Sequence, residues 1–309
     1  MFLQTKILRW LLEGNFLFKY EVISSYAFLV VALGTLFLSI AAASLGTITV
    51  LKGQSLIGDA IGHSSFPGLV LAFILFERRE PLILLLGAIF SGSIAFILIQ
   101  IVNKNTKISL DTILAVVLST FFGMGMVLKS YIQGNPNFLK ASQSGLQNYI
   151  FGQAAYMLMA DVKLISIISL LSLLLIGIFY KEIKLFVFDE VYAQSIGINC
   201  KIIYGIIMLC SMSVIGAGLK LVGAILISSL LIVPAIAALQ WSNNFFKVMV
   251  IASFVGGFSA VTGTYISTVY SGMSTGPTII VTMTILAFLS LIFGPKGYLA
   301  TYRKRSKYK

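Results

Sequence analysis

In the stretch "SLIGDAIGHSSFPG", residues Ser55–Gly68, an aspartate stands four residues before the single histidine of the whole sequence. On a helix, Asp59 and His63 share one face about a turn apart. A carboxylate oxygen and an imidazole nitrogen together suit Mn²⁺, Fe²⁺ or Zn²⁺, and the imidazole must be neutral to ligate. The same pair could equally be a structural hydrogen bond between packed helices. Two ligands do not close a metal site. They are compatible with a transit site, where partial coordination lets an ion leave again. The surrounding residues are special in their own way. Gly58, Gly62 and Gly68 permit close helix approach or local unwinding. Pro67 has no N–H, so a helix continued through it leaves the carbonyl of His63 without its usual partner.

The elements that position this pair are membrane helices. Of the 309 residues 58% are hydrophobic and only 10% are charged, against about 25% charged in a soluble domain. An ionisable residue at membrane depth costs a few kcal/mol on insertion scales, so Asp59 and His63 are expected to face protein or a polar path rather than lipid. The fold class expected is all-α, a polytopic membrane protein of about eight to nine spans. Nine apolar runs qualify: Val22–Leu51, Leu56–Phe76, Leu82–Val102, Thr112–Leu128, Leu164–Tyr180, Ile202–Leu219, Leu221–Leu239, Val248–Tyr270 and Thr278–Phe293. The sixth and seventh are separated by little more than Lys220 and form either a tight hairpin or one broken element.

Residues 1–20 mix Lys6, Arg9, Glu13 and Lys19 with Leu, Trp and Phe, the pattern of an interfacial amphipathic helix. Residues 21–309 read as a single transmembrane domain with a basic tail. The polar stretch before the fifth run is expected to be a long extramembrane loop with a short re-entrant or interfacial piece. A cleavable leader is not expected. The net charge of +12 points to topology rather than to nucleic acid, because loop Lys and Arg collect on the cytosolic side. With nine spans that rule puts the C-terminal tail in the cytosol and the N-terminus outside. Cys200 and Cys210 have neither metal spacing nor a disulfide framework. No G-x-x-x-x-G-K-[ST] phosphate loop occurs in the sequence, so hydrolysis of ATP by the chain itself is not expected. One histidine without an adjacent Glu or second His also argues against an intramembrane H-E-x-x-H protease.

The run "SLIGDAIGHSSFPGLVLAF" resembles the signature of the ABC-3 family of metal-ion permeases, through Gly58, Asp59, Ala60, His63, Pro67 and Gly68. "LKLVGAILISSLLIVPAIAA" (Leu219–Ala238), "FDEVYAQSIGI" (Phe188–Ile198), "GMSTGPTIIV" and "FGPKGY" are similar to further stretches of that family, in the expected order. The resemblance implies an ABC importer permease fold in the bacterial cytoplasmic membrane. It also implies a subunit that is not an enzyme and has no permanently bound cofactor. Its cargo would be a divalent metal, manganese before zinc or iron. Implied partners are separate ATPase subunits, an extracytoplasmic metal-binding protein and a second permease copy or paired permease. Asp59 and His63 then correspond to the metal path or gate. Asp189, Glu190, Ala193 and Gly197 would meet the ATPase, as would the segment after Pro234 with Gln240 and Trp241, the main coupling helix by resemblance. The family has a small residue and Ala after the histidine region where this chain has "HSSF", which blurs the metal preference. The alternative is a secondary carrier driven by an ion gradient, although no inverted internal repeat is evident.

Overall fold

A computed structural model of the chain describes residues 23, 25–77, 80–134, 157–270 and 273–300. The amphipathic segment 1–20, most of the expected extramembrane loop and the tail 301–309 lie outside the described residues. Among the described residues every regular element is an α-helix. These are α1 Tyr26–Leu51, α2 Ile57–Phe76, α3 Pro81–Asn105, α4 Leu110–Gly134, α5 Met159–Ile178, α6 Tyr180–Phe188, α7 Glu190–Ser195, α8 Cys200–Val222, α9 Ala224–Leu239, α10 Phe245–Val269 and α11 Thr275–Phe293.

Eight of these helices are long and apolar enough to cross a membrane; α9 is the shorter apolar one. Its 16 residues span about 24 Å at 1.5 Å per residue, less than the roughly 30 Å of a hydrocarbon core. The ambiguity between the sixth and seventh runs resolves at one residue. Gly223 has φ +76°, a conformation that glycine adopts at little cost. The chain turns back there: a Cβ at Gly218 would lie 2.5 Å from the Ile227 side chain. Nine residues of straight helix would hold those two positions about 13 Å apart, so α8 and α9 form a tight hairpin.

The helix ends follow local chemistry. Ser25 caps α1 through Phe28 N (3.3 Å), and Asn244 caps α10 through Phe246 N (3.0 Å) and Lys247 N (3.4 Å). Pro81 opens α3, where its missing N–H costs nothing. Successive spans alternate between two ends of the bundle. One, the Lys52 end, gathers the α1–α2 turn, α6, α7 and the α9–α10 turn; the other, the Glu77 end, carries the α2–α3 and α10–α11 connections.

Small residues set how closely the spans approach. A Cβ at Gly46 on α1 would collide with the carbonyl of Leu231 on α9, and a Cβ at Gly68 on α2 would collide with the carbonyl of Gly87 on α3. Hydroxyls join α1 to α10. Thr35 Oγ1 lies 3.3 Å from Thr264 Oγ1, and Ser44 Oγ lies 2.9 Å from Ser253 Oγ. Such small and hydroxylated contacts are how helices associate where lipid removes the hydrophobic drive.

Candidate metal path and coupling face

α2 runs unbroken through Pro67 and presents Asp59 in its first turn. A carboxylate there is a favourable neighbour of the free N–H groups at a helix start. His63 follows one turn deeper, and its Nε2 lies 3.4 Å from Asp59 Oδ1. That is longer than a good N–H···O hydrogen bond, so the two are adjacent without being locked together. The side chain of Asp59 is 33% exposed and that of His63 13%. The imidazole stands edge-to-face on Phe122 of α4, with ring centroids 4.9 Å apart. Its Nδ1 is buried and has no hydrogen-bond partner in the structure. A buried polar atom without a partner is costly, and here it belongs to a side chain able to bind a cation.

The wall around the pair is made by close packing. A Cβ at Gly58 would lie 2.6 Å from Leu231 Cδ1 of α9. Gly62 is buried in the same helix. A Cβ at Gly125 of α4 would lie 3.1 Å from the nitrogen of Pro67. Ser91 of α3 donates to the carbonyl of Ser64 at 2.6 Å, which gives the backbone beside the proline an added partner. No group of three or more His, Cys, Asp or Glu side chains capable of holding a metal occurs among the described residues. One chain therefore brings two ligands to this place.

The remaining residues singled out from the sequence gather at the Lys52 end, in two groups. Asp189 caps α7 by accepting from Tyr192 N at 2.8 Å. Glu190 pairs with Lys52 at 2.6 Å. Ala193 is fully buried and accepts from Ile198 N at 3.0 Å, across a turn in which Gly197 has φ +88°. Phe188, Val191, Tyr192 and Ile196 are exposed around this buried anchor. In the second group Pro234 lies inside α9, and Gln240 ends it. The carbonyl of Gln240 accepts from Lys296 N at 3.2 Å. Trp241 is half-exposed in the turn to α10. This second segment is a turn at Gln240–Asn244, whereas a separate short helix lies at Glu190–Ser195.

A profile of the ABC 3 transport family matches residues 25–294. The chain belongs to this family. It is similar to the manganese transport system membrane protein MntC of Bacillus subtilis, 40% identical over 267 residues. That match covers 86% of this chain but 61% of the Bacillus protein, so the chain spans under two thirds of that relative. It is 37% identical over 276 residues to the zinc transport system membrane protein TroC of Treponema pallidum, covering 89% of this chain and 92% of that one. Among solved structures, PsaBC from Streptococcus pneumoniae in complex with Fab matches with a TM-score of 0.81 at 27% identity, over 92% of this chain and 100% of that chain. The architecture is thus that of an ABC transporter permease with several membrane-spanning helices.

Two participants in this site were not legible in the sequence. Phe122 sits in an apolar run among many phenylalanines, and nothing in its spacing ties it to His63. Lys52 reads only as a loop cation, and its partner Glu190 lies 138 positions away.

Proposed function

We propose that this chain is the membrane-spanning subunit of an ATP-driven importer of a divalent transition metal, manganese first and zinc or iron next. The observation that carries the reading is the Asp59–His63 pair on α2, with a buried, unpartnered imidazole nitrogen and a carboxylate that is one-third exposed. That one relative is a manganese and another a zinc transport system membrane protein supports a metal of this class. Two ligands per chain are too few, and a twofold pairing of permeases supplies up to four around one axis. In this reading an extracytoplasmic binding protein delivers the ion. The pair holds it weakly and briefly, and separate ATPase subunits drive opening and closure. Those subunits meet the exposed rim of α7 and the Gln240–Trp241 turn. The Lys52 end, which gathers Lys104, Lys107, Lys181, Lys184, Lys201, Lys247 and Lys296, is the cytosolic one, in a bacterial cytoplasmic membrane.

The test is uptake of radioactive manganese into proteoliposomes carrying the permease, its ATPase and the binding protein. Asp59→Asn keeps the size but removes the charge, and His63→Ala removes the nitrogen; both are expected to abolish uptake while assembly and ATP hydrolysis persist. Wild-type uptake by either variant would mean that the pair is structural and that the path lies elsewhere. Uptake by the permease alone, driven by a proton or sodium gradient, would instead establish a secondary carrier.

A further inference from the structure

Six residues after α1 begins α2, and the connection between them is short and closed. Lys52 N donates to the carbonyl of Ile48 (3.0 Å), Gly53 N to that of Val50 (3.0 Å), Gln54 N to that of Thr49 (2.8 Å) and Ile57 N to that of Gln54 (3.1 Å). Four of the six backbone N–H groups from Lys52 to the first residue of α2 are therefore hydrogen-bonded within the turn, which leaves little slack. Asp59 is the third residue of that helix.

Two side chains of this turn reach neighbouring elements. Lys52 Nζ donates to Glu190 Oε2 at 2.6 Å and to the carbonyl of Phe186 at 3.0 Å, and it stands 4.1 Å from the centroid of the Phe186 ring. It thus grips the junction of α6 and α7 by charge, hydrogen bond and ring face together. Gln54 Oε1 accepts from Tyr204 Oη of α8 at 3.2 Å, and that hydroxyl accepts from Gln100 Nε2 of α3 at 3.1 Å. Phe186 also packs against Tyr204, with centroids 5.8 Å apart. The lysine is 20% exposed and its glutamate 44%. The pair is therefore accessible to change and adds little to stability by itself.

We infer that Lys52, through its ion pair with Glu190, transmits movement of α7 to the α1–α2 turn and so to the Asp59–His63 pair. Lys52 is a positioning residue: it touches no cargo and acts through the helix it precedes. This rests on the reading of α7 as the element that meets the ATPase. Spatial adjacency alone does not establish coupling. The case here is mechanical: a displacement of α7 pulls on one end of a closed turn whose other end is the first turn of α2. Gln54 and Tyr204 hold the flank, so the turn pivots instead of sliding.

The experiment uses the assembled complex of permease and ATPase in proteoliposomes with Mn²⁺. It compares wild type, Lys52→Glu, Lys52→Met and the exchange Lys52→Glu with Glu190→Lys. One readout is manganese taken up per ATP hydrolysed. The other needs no metal: the rate at which a thiol reagent labels Leu56→Cys, with and without ATP and vanadate. Leu56 is exposed, whereas the protein's two cysteines, Cys200 and Cys210, are buried. In wild type, nucleotide trapping is expected to change the labelling rate. Lys52→Glu loses that change and lowers uptake per ATP by about fivefold while hydrolysis continues; Lys52→Met does the same more mildly; the exchange restores both to within about twofold. Retention of the labelling change and of the uptake ratio in Lys52→Glu overturns the inference, as does an exchange that restores neither. A parallel fall of hydrolysis and uptake with loss of the ATPase also overturns it, because Lys52 would then only shape the docking face. If wild type takes up no metal yet shows the labelling change, and Lys52→Glu abolishes that change, the transmission stands and the metal reading fails.

Discussion

Phe122 fixes the plane in which His63 can offer its nitrogens. An edge-to-face ring contact at 4.9 Å is worth about 0.5–1.5 kcal/mol, enough to hold one rotamer over its neighbours. Phe122→Leu keeps an apolar wall and loses the ring edge. It is expected to weaken apparent manganese affinity by roughly two- to tenfold with little change in the maximal rate. Uptake measured over a range of manganese concentrations checks this, and a change confined to the maximal rate would speak against it. At this scale the sequence carried half of the information. Asp59 and His63 are visible because four-residue spacing is a helical property that needs no tertiary knowledge. Phe122 is on another helix, and Lys52 finds Glu190 across 138 positions; periodicity carries no trace of such pairings.

Helix α2 is held by contacts that leave no room for a methyl group. At Gly68 an added Cβ meets the carbonyl of Gly87 and the Ser91 side chain, whereas at Gly123 on α4 it meets nothing within 4 Å. Gly68→Ala should therefore force α2 and α3 apart, at a cost of about 1–3 kcal/mol. Gly123→Ala should be neutral or stabilising by up to about 1 kcal/mol, because alanine favours the helix. Apparent melting temperatures of the two variants in detergent discriminate, and equal melting would sink the packing argument. Most spans were legible as apolar runs, and their ends moved only by a few residues. The α8–α9 hairpin was legible only as one of two alternatives, because both helices are apolar and one glycine makes the turn. The segment after Pro234 is expected to hold the main coupling helix only through the family resemblance, and chain reversal into α10 takes up Gln240 to Asn244 as a turn.

For the whole molecule, the twofold arrangement and the orientation each have a direct measurement. If two Asp59–His63 pairs line one axis, a dimer with a single Asp59→Asn chain is inactive. Co-expression of equal amounts of wild type and variant then leaves about one quarter of wild-type uptake, the share of all-wild-type dimers, whereas independent chains leave about one half. Residual uptake near one half would argue for a path within each chain. Orientation is read by an impermeant thiol reagent. Leu56→Cys is expected to react only from the cytosolic side and Glu77→Cys only from outside, since the two residues flank opposite ends of α2. Reaction of Leu56→Cys from outside would invert the assignment drawn from the lysines.

The hydroxyl contacts between α1 and α10 have a consequence for biosynthesis. Thr35 and Thr264 are 229 positions apart, and Ser44 and Ser253 are 209 apart. At the usual 5–20 residues per second, α1 waits roughly 10–40 s in the bilayer before its partner leaves the ribosome. A helix bearing bare hydroxyls would be a poor guest in lipid for that long. Four of the five Ser and Thr hydroxyls of α1 have a local acceptor: Thr35 donates to the carbonyl of Val31 (2.8 Å), Ser44 to that of Ile40 (2.9 Å), Thr47 to that of Ala43 (2.9 Å) and Thr49 to that of Gly46 (3.1 Å), whereas Ser39 Oγ is buried without a partner. Apart from Ser39, the hydroxyls of the nascent first span are thus satisfied within the helix, and those of Thr35 and Ser44 are free to take a second partner when the late span arrives. A ribosome stalled before Phe245 would leave a first helix that is inserted and quiet, yet still unpaired along the face that α10 covers.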